Sequence, residues 1–188
     1  MIGVAPGVKK LSAMSLLISQ YGTIFFADSY VQESPNAENL AEIAHLASVE
    51  IQRFGIKPRA ALLSHSNFGT GDTADARKLR EALALVRQQS PDLEIDGEMH
   101  GDAALSKDLR HRVMPNSTLT EDANLLLFPT LDAANITMNV VKVTTDALHV
   151  GPILLGAATP AHILTPSVTS RGVVNMAAIA VAEAVQRG

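Results

Sequence analysis

The sequence predicts an α/β fold in which helices flank a largely parallel sheet. Short apolar runs of strand length alternate with longer amphipathic segments along most of the chain. Several of these runs are apolar at every position, which is typical of strands buried on both faces of a parallel sheet. The chain has 188 residues, of which 47% are hydrophobic, enough for one core or for two small lobes that share an interface.

The first part of the chain predicts two strands and a helix. Residues 11–19 and 22–27 are aliphatic and aromatic runs on either side of a short turn, which predicts two strands. Asn36 is a typical N-cap for the helix that follows. Gly55 and Pro58 end that helix. Its apolar residues recur at helical spacing and form one stripe: Leu40, Ile43, Ala44, Ala47, Ile51 and Phe54.

The middle of the chain continues the alternation of strands and helices. Residues 59–64 and 93–99 predict strands, and residues 73–89 between them predict a helix with a charged outer face. The apolar run at 124–128 predicts another strand, and residues 131–144 predict a helix packed on it. This order favours strands that run parallel and are joined by helices.

The C-terminal part predicts two short strands, at 152–155 and 162–164, and a closing helix over 169–187. A helix that is apolar nearly all round is buried, so we expect this one in the core or in a subunit interface. Its apolar residues cover most of the helix circumference: Val173, Val174, Met176, Ala177, Ile179, Ala180, Val181, Ala184 and Val185.

Composition excludes several classes of protein. Charged residues make up only 18% of the chain and the formal net charge is −4, which disfavours nucleic acid and anionic membranes as partners. Without cysteine there is no disulfide or thiolate chemistry. No apolar run is long enough to span a membrane, and residues 1–10 lack the features of a secretory signal. We therefore expect a cytoplasmic protein.

The loop at 64–72 leaves a predicted strand and enters a predicted helix, where free backbone N–H groups can bind phosphate. It matches neither the dinucleotide fingerprint nor the phosphate-binding loop with its lysine, so a simple connection is the plainer interpretation. Ser64 and His65 are neighbours on a strand and point to opposite faces, which disfavours a serine hydrolase.

Four polar residues alternate at the end of the strand at 93–99: Asp96, Glu98, His100 and Asp102. On one face of a continuous strand they could converge on a divalent metal ion. Glycines at 97 and 101 interrupt the strand, however, so we favour a solvated polar edge and assign no metal site.

Three ordered segments resemble the signature of the phosphate acetyl/butyryltransferase family. They are the Asp-Gly-Glu segment at 95–104, the Phe-Pro segment with its asparagine at 127–135, and the Gly-Pro-Ile-Leu-Leu-Gly segment within 147–156, followed by Pro160. The resemblance extends from about residue 8 to residue 185. It implies the isocitrate/isopropylmalate dehydrogenase-like fold of the phosphotransacetylases.

The departures from the family pattern concern the residues that carry acyl transfer. Family transferases have a Leu-Ser-Arg-Gly segment followed by a catalytic aspartate. Aligned from Leu164, this chain has Thr165 for the serine, Pro166 for the arginine and Gly172 for the aspartate. Proline cannot donate a hydrogen bond and glycine cannot act as a base, so we expect transfer to be lost or very slow and assign no catalytic residue. The Ser-Arg-Gly triplet at 170–172 lies too late in the sequence to replace them.

This pattern, with the loop at 62–69, is similar to the phosphotransacetylase-like domains at the C-terminus of bacterial NADP-dependent malic enzymes. The resemblance implies a non-catalytic domain that senses acetyl-CoA as an effector and supports a homodimer or higher homo-oligomer. NADP, a divalent metal ion and malate would then bind a catalytic domain elsewhere in the same polypeptide, and the fragment itself would hold no cofactor. Two alternatives stay open: a working phosphate acetyltransferase, and a purely structural oligomerisation module.

The resemblance also implies a division of the chain and a set of ligand contacts. Residues 1–118 would form the second lobe of the domain, and residues 119–188 would return to a first lobe whose N-terminal part is absent. Gly151 and Pro152 could instead only shape a turn, and Lys142 could be a solvated helix residue. The candidate acetyl-CoA contacts are Asn135, Asn139, Lys142, Gly151, Pro152, Ile153, Thr165, Pro166 and Ser167.

Overall fold

The computed structural model describes residues 2–166 and 168–187. Strands and helices alternate along them, as the hydrophobic periodicity predicts. In chain order they are β1 Ser12–Ser19, β2 Gly22–Ala27, α1 Ala37–Arg53, β3 Arg59–Leu63, α2 Ala74–Gln89, β4 Glu94–Met99, α3 Gly101–Ala104, α4 Lys107–Val113, β5 Leu125–Leu127, α5 Leu131–Thr144, β6 Leu148–Leu155 and α6 Ser170–Arg187.

The six strands form one sheet in the order β4-β3-β5-β2-β1-β6. β4, β3, β5 and β2 pair in parallel, whereas β1 is antiparallel to both of its neighbours, β2 and β6. The predicted α/β class with a largely parallel sheet is therefore confirmed. Strands from both predicted segments, 1–118 and 119–188, belong to this sheet, and the boundary between them stays a prediction.

The sheet buries both of its faces. Successive residues of a strand point to opposite faces, so Phe25 joins one apolar cluster and Phe26 the other. The first cluster lies under α1, α2 and α6 and includes Met14 and Leu62. The second lies under α3 and α5 and includes Met138. Burial on both faces explains why the strands are apolar at consecutive positions.

Side-chain caps fix where several helices begin. The Asn36 side chain accepts a hydrogen bond from the Asn39 N–H at 2.8 Å, which confirms the predicted N-cap of α1. Thr73 and Thr130 cap α2 and α5 in the same way. Each cap satisfies one of the backbone N–H groups that a helix leaves unpaired in its first turn.

The structure differs from the sequence prediction at several elements. The short helices α3 and α4 were not predicted, because each is too brief and polar to show a helical stripe. The predicted strand at 162–164 is irregular, and its Ile163 N–H donates to the Pro152 carbonyl at 3.2 Å. α6 is buried in the core on one face only, since Met176 joins the first apolar cluster, whereas Val174 and Val185 are 65% and 75% exposed. The alternative location of α6, in a subunit interface, stays a prediction.

Among the described residues, no helix is long and apolar enough to cross a membrane.

Candidate functional site

The loop between β3 and α2 lies at the carboxyl ends of the parallel strands and is held by the β4 carboxylate of Glu98. Glu98 Oε1 accepts hydrogen bonds from the Ser66 hydroxyl at 2.6 Å, the Gly69 N–H at 3.0 Å and Arg80 Nη1 at 2.8 Å. Burial raises the pKa of Glu98, but these donors outweigh it, so the pKa lies below its ordinary value. The loop is therefore fixed by hydrogen bonds to a buried carboxylate of the same chain.

The prediction of a solvated polar edge at the end of β4 is wrong for Asp96 and Glu98, which are buried, and holds for His100 and Asp102, which are exposed. Asp96 accepts from the Ser117 hydroxyl and the Thr118 N–H, each at 2.8 Å, and pairs with Arg87 at 3.1 Å. Glu98 is therefore bonded to the loop between β3 and α2, and Asp96 to the segment containing Ser117 and Thr118. The two carboxylates do not share a single partner. In the described part of the chain, no group of three or more histidine and acidic side chains is placed to hold a metal ion.

The predicted ligand residues of α5 form a ladder of hydrogen bonds along one side of the helix. Lys142 Nζ donates to Asn139 Oδ1 at 3.2 Å, and Asn139 Nδ2 donates to Asn135 Oδ1 at 2.9 Å. Asn135 Nδ2 in turn donates to the Ser29 carbonyl at 3.2 Å, which joins the ladder to the segment after β2. The side chains are spaced by three and four residues, so they share one helix face.

The ladder approaches β6 beside the predicted Gly-Pro segment. Burial, together with the nearby charge of Lys142, lowers the pKa of His149 below its ordinary value. Two residues further on, Gly151 interrupts the β1–β6 register opposite Ser15. A Cβ at Gly151 would lie 3.1 Å from Ser15 Oγ, and Ser29 Oγ donates to that same Ser15 Oγ at 3.2 Å. A continuous set of polar groups therefore links α5 to the bulge in β6.

The other predicted contacts lie on β6 or follow it. The Pro152 carbonyl accepts a hydrogen bond from the Ile163 N–H at 3.2 Å, which holds the segment that leads to Thr165 and Pro166 against β6. Ile153 is fully buried in the cluster under α1, so its side chain packs in the core. Ser167 lies outside the described residues.

The residues predicted to replace the serine, arginine and aspartate of the family transferases are Thr165, Pro166 and Gly172. Pro166 is an exposed turn residue, and Gly172 lies in the first turn of α6. The Ser-Arg-Gly triplet at 170–172 forms the start of that helix, as the sequence predicts.

Two residues of the polar set were not among the predicted contacts: Ser15 and Ser29. Ser15 and Ser29 are fully buried polar residues next to apolar runs. A polar residue within a buried strand was the one sequence signal that could have indicated them, since such a residue needs a partner.

Comparison with known proteins agrees with this architecture. The family model described as Phosphate acetyl/butaryl transferase matches residues 1–181. A NAD-dependent malic enzyme of Rhizobium meliloti (strain 1021) is 66% identical over 97% of this chain, and an NADP-dependent malic enzyme of Escherichia coli (strain K12) is 49% identical over 97%. The chain spans 24% of the length of each of these two relatives.

Solved structures support the same family. A phosphotransacetylase from Streptococcus pyogenes superimposes with a TM-score of 0.93 and 30% identity, over 98% of this chain and 57% of that one. The family match covers nearly the whole chain, and the fold agrees with it. The chain therefore belongs to the phosphate acetyl/butyryl transferase family.

Proposed function

We propose that this chain is a non-catalytic domain of a malic enzyme that senses acetyl-CoA and supports oligomerisation. The observation that carries the proposal is the set Thr165, Pro166 and Gly172 in place of serine, arginine and aspartate. An acyl phosphate needs a cationic fork and a thiol needs a base, and neither residue type remains at these positions. The similarity to malic enzymes supports the parent activity, oxidative decarboxylation of malate to pyruvate.

The polar set on α5 and β6 supports a retained ligand site. Lys142 supplies a cation suited to the phosphates of CoA, and its ammonium is oriented by Asn139. Gly151 lacks a side chain where β6 passes close to Ser15 of β1, so it keeps the predicted Gly-Pro segment next to the buried serines of the polar set. Malate, a divalent metal ion and the coenzyme would bind elsewhere in a longer cytoplasmic polypeptide. The two malic enzyme relatives differ in coenzyme, and NADP stays our prediction.

Calorimetric titration of this chain with acetyl-CoA tests the proposal, with free CoA as the ligand control. We expect saturable binding that is stronger for acetyl-CoA. Substitution Lys142→Ala should weaken it about tenfold, the equivalent of about 1.4 kcal/mol, because a phosphate contact is lost. Lys107→Ala is the matched control, since Lys107 is a lysine of α4 that pairs with Glu121.

If neither this chain nor the longer polypeptide binds acetyl-CoA, the proposal that the domain senses acetyl-CoA is contradicted.

An assay for acetyl-CoA formation from acetyl phosphate and CoA separates the proposal from the transferase alternative. We expect no turnover above background. Turnover at a rate typical of enzymes would mean that other residues replace the missing serine, arginine and aspartate.

The structural alternative is favoured by a different observation. Apolar side chains are exposed on α5 and α6, including Val143 and Val185, and such surfaces are typical of protein interfaces. A purely structural module would form the same oligomer with and without acetyl-CoA. Light scattering in the presence and absence of acetyl-CoA therefore distinguishes it from a sensor whose assembly responds to the ligand.

A further inference from the structure

The loop between β3 and α2 directs three hydrogen-bond donors at a single oxygen atom. The Ser66 hydroxyl, the Gly69 N–H and Arg80 Nη1 all donate to Glu98 Oε1, at 2.6, 3.0 and 2.8 Å. One donor is cationic, one is a backbone amide and one is a hydroxyl. Convergence of such groups on one oxygen is the arrangement by which proteins bind anions. Glu98 and Ser66 are both buried, so the interaction is shielded from solvent.

The donors are positioned by contacts other than the one with Glu98. Ser66 Oγ accepts from the Gly71 N–H at 2.9 Å, and the Ser66 N–H donates to Ser64 Oγ at 3.0 Å. Arg80 also donates to the Gly71 carbonyl at 3.1 Å and to Asp72 Oδ1 at 3.0 Å. Ser66 and Arg80 therefore have contacts with the loop that do not depend on the Glu98 carboxylate.

The second oxygen of Glu98 is used differently from the first. Oε2 is buried and has no hydrogen-bond partner in the described part of the chain. A buried carboxylate whose role is only to join segments would gain from pairing both oxygens, as Asp96 does on the same strand. All three donors therefore bind one oxygen of Glu98.

A cleft adjoins this oxygen-binding cluster. Its volume is about 480 Å³, and its walls include Phe68, Gly69, Arg80, Glu98 and Thr118. It opens to solvent beside α2, so shortening the buried Glu98 side chain would extend the cleft to the three donors.

We propose that Ser66, Gly69 and Arg80 form a carboxylate-binding site that the chain fills with its own Glu98. A tethered group has a high effective concentration, so it excludes free carboxylates from the site. A small monocarboxylate enters when Glu98 is shortened. The proposal goes beyond the proposed function, because it concerns the β3–α2 loop and does not depend on the polar set of α5 and β6.

Acetate is the probe, because Glu98→Ala removes the CH₂–COO⁻ group that acetate replaces. We expect the melting temperature of Glu98→Ala to rise with the logarithm of acetate concentration above its Kd, by about 3–6 °C at ten times that Kd. Wild type should not respond, since its site is filled. Acetamide, which has the same shape without charge, and chloride at equal ionic strength should both fail to stabilise the variant. An equal rise in wild type, or with chloride, would overturn the proposal.

Two further variants keep the test decisive. Glu98→Ala with Ser66→Ala lacks one of the three donors and should bind acetate at least tenfold more weakly. Glu98→Gln fills the site with an amide and should not respond to acetate. If Glu98→Ala is unfolded in chloride, acetate should restore its circular dichroism at concentrations where acetamide does not. Failure of acetate to fold or stabilise Glu98→Ala overturns the proposal.

Discussion

Arg110 is fully buried, and its guanidinium donates to backbone carbonyl oxygens rather than to a carboxylate. Nη1 donates to the Ala103 carbonyl at 3.0 Å, and Nη2 donates to the carbonyls of Leu119 and Glu121 at 3.3 and 2.8 Å. One side chain thereby joins α3 to the segment that precedes β5. Desolvation of a guanidinium is costly unless its donors are paired, so the cation and the carbonyls depend on each other.

Substitution Arg110→Met should destabilise the fold by about 3 kcal/mol, because the buried carbonyls lose their donors. Arg112→Met is the matched control on the same helix, where the side chain is exposed, and should change stability by less than about 0.5 kcal/mol. Urea unfolding followed by circular dichroism measures both. Equal effects of the two substitutions would show that Arg110 contributes only its apolar stem.

A second prediction at the residue scale concerns pH. The pKa of His149 lies below its ordinary value of 6.5 because of burial and the nearby charge of Lys142. As the pH falls through 6.5 the unfolded chain gains a proton that the folded chain resists, so stability falls with pH from that point downward. His149→Gln should reduce this loss, whereas His111→Gln, at an exposed histidine, should leave it unchanged. Melting temperatures from pH 8 to pH 5 test the prediction, and identical profiles for wild type and His149→Gln would contradict it.

At the scale of an element, β4 depends on a glycine that the sequence alone presents only as a strand breaker. Gly97 has φ +138°, and a Cβ there would lie 2.7 Å from the Leu62 carbonyl oxygen on β3. Gly97→Ala should therefore cost about 2–4 kcal/mol through backbone strain and contact with the neighbouring strand. Gly101→Ala is the control, since a Cβ there meets nothing within 4 Å. Thermal unfolding of the two variants measures the difference, and similar melting temperatures would contradict the role of Gly97.

Elements with a long periodic pattern could be predicted from the sequence, and those set by tertiary contacts could not. The stripe of α1 from Leu40 to Ile51 predicted that helix, because its apolar side chains face a single cluster. α4 has only seven residues, too few for a stripe. The burial of Glu98 depends on donors from a loop about thirty residues earlier in the chain, and local periodicity carries no information about such pairing.

The candidate site, too, could be predicted only where its residues belong to a local sequence motif. Motif resemblance indicated Asn135, Asn139, Lys142 and Gly151, and the structure places them in one polar set. Ser15 completes that set from β1, more than a hundred residues away in sequence. The order of strands in the sheet places Ser15 beside Gly151. That order cannot be predicted from the spacing of residues in the sequence.

At the scale of the whole molecule, α6 presents an apolar stripe that the described part of the chain does not cover. Val174, Val181 and Val185 recur at spacings of seven and four, so they share one face of the helix. A continuous exposed stripe of this kind marks an interaction surface. We predict that a second copy of the chain covers it, which is the subunit interface expected from the composition of the helix.

Val174→Glu with Val181→Glu should therefore weaken self-association at least a hundredfold, the equivalent of about 2.7 kcal/mol, because two charges would be desolvated at each copy of the stripe. Tyr21→Glu with Val113→Glu is the control, since these exposed residues lie outside the apolar surfaces of α5 and α6. Light scattering over a range of concentrations should show a dimer for wild type and the control variant, and a monomer for the α6 variant. A monomeric wild type, or an α6 variant that still dimerises, would mean that α6 packs against another part of a longer polypeptide or stays exposed. Circular dichroism of the α6 variant should match wild type, because neither valine packs in the core.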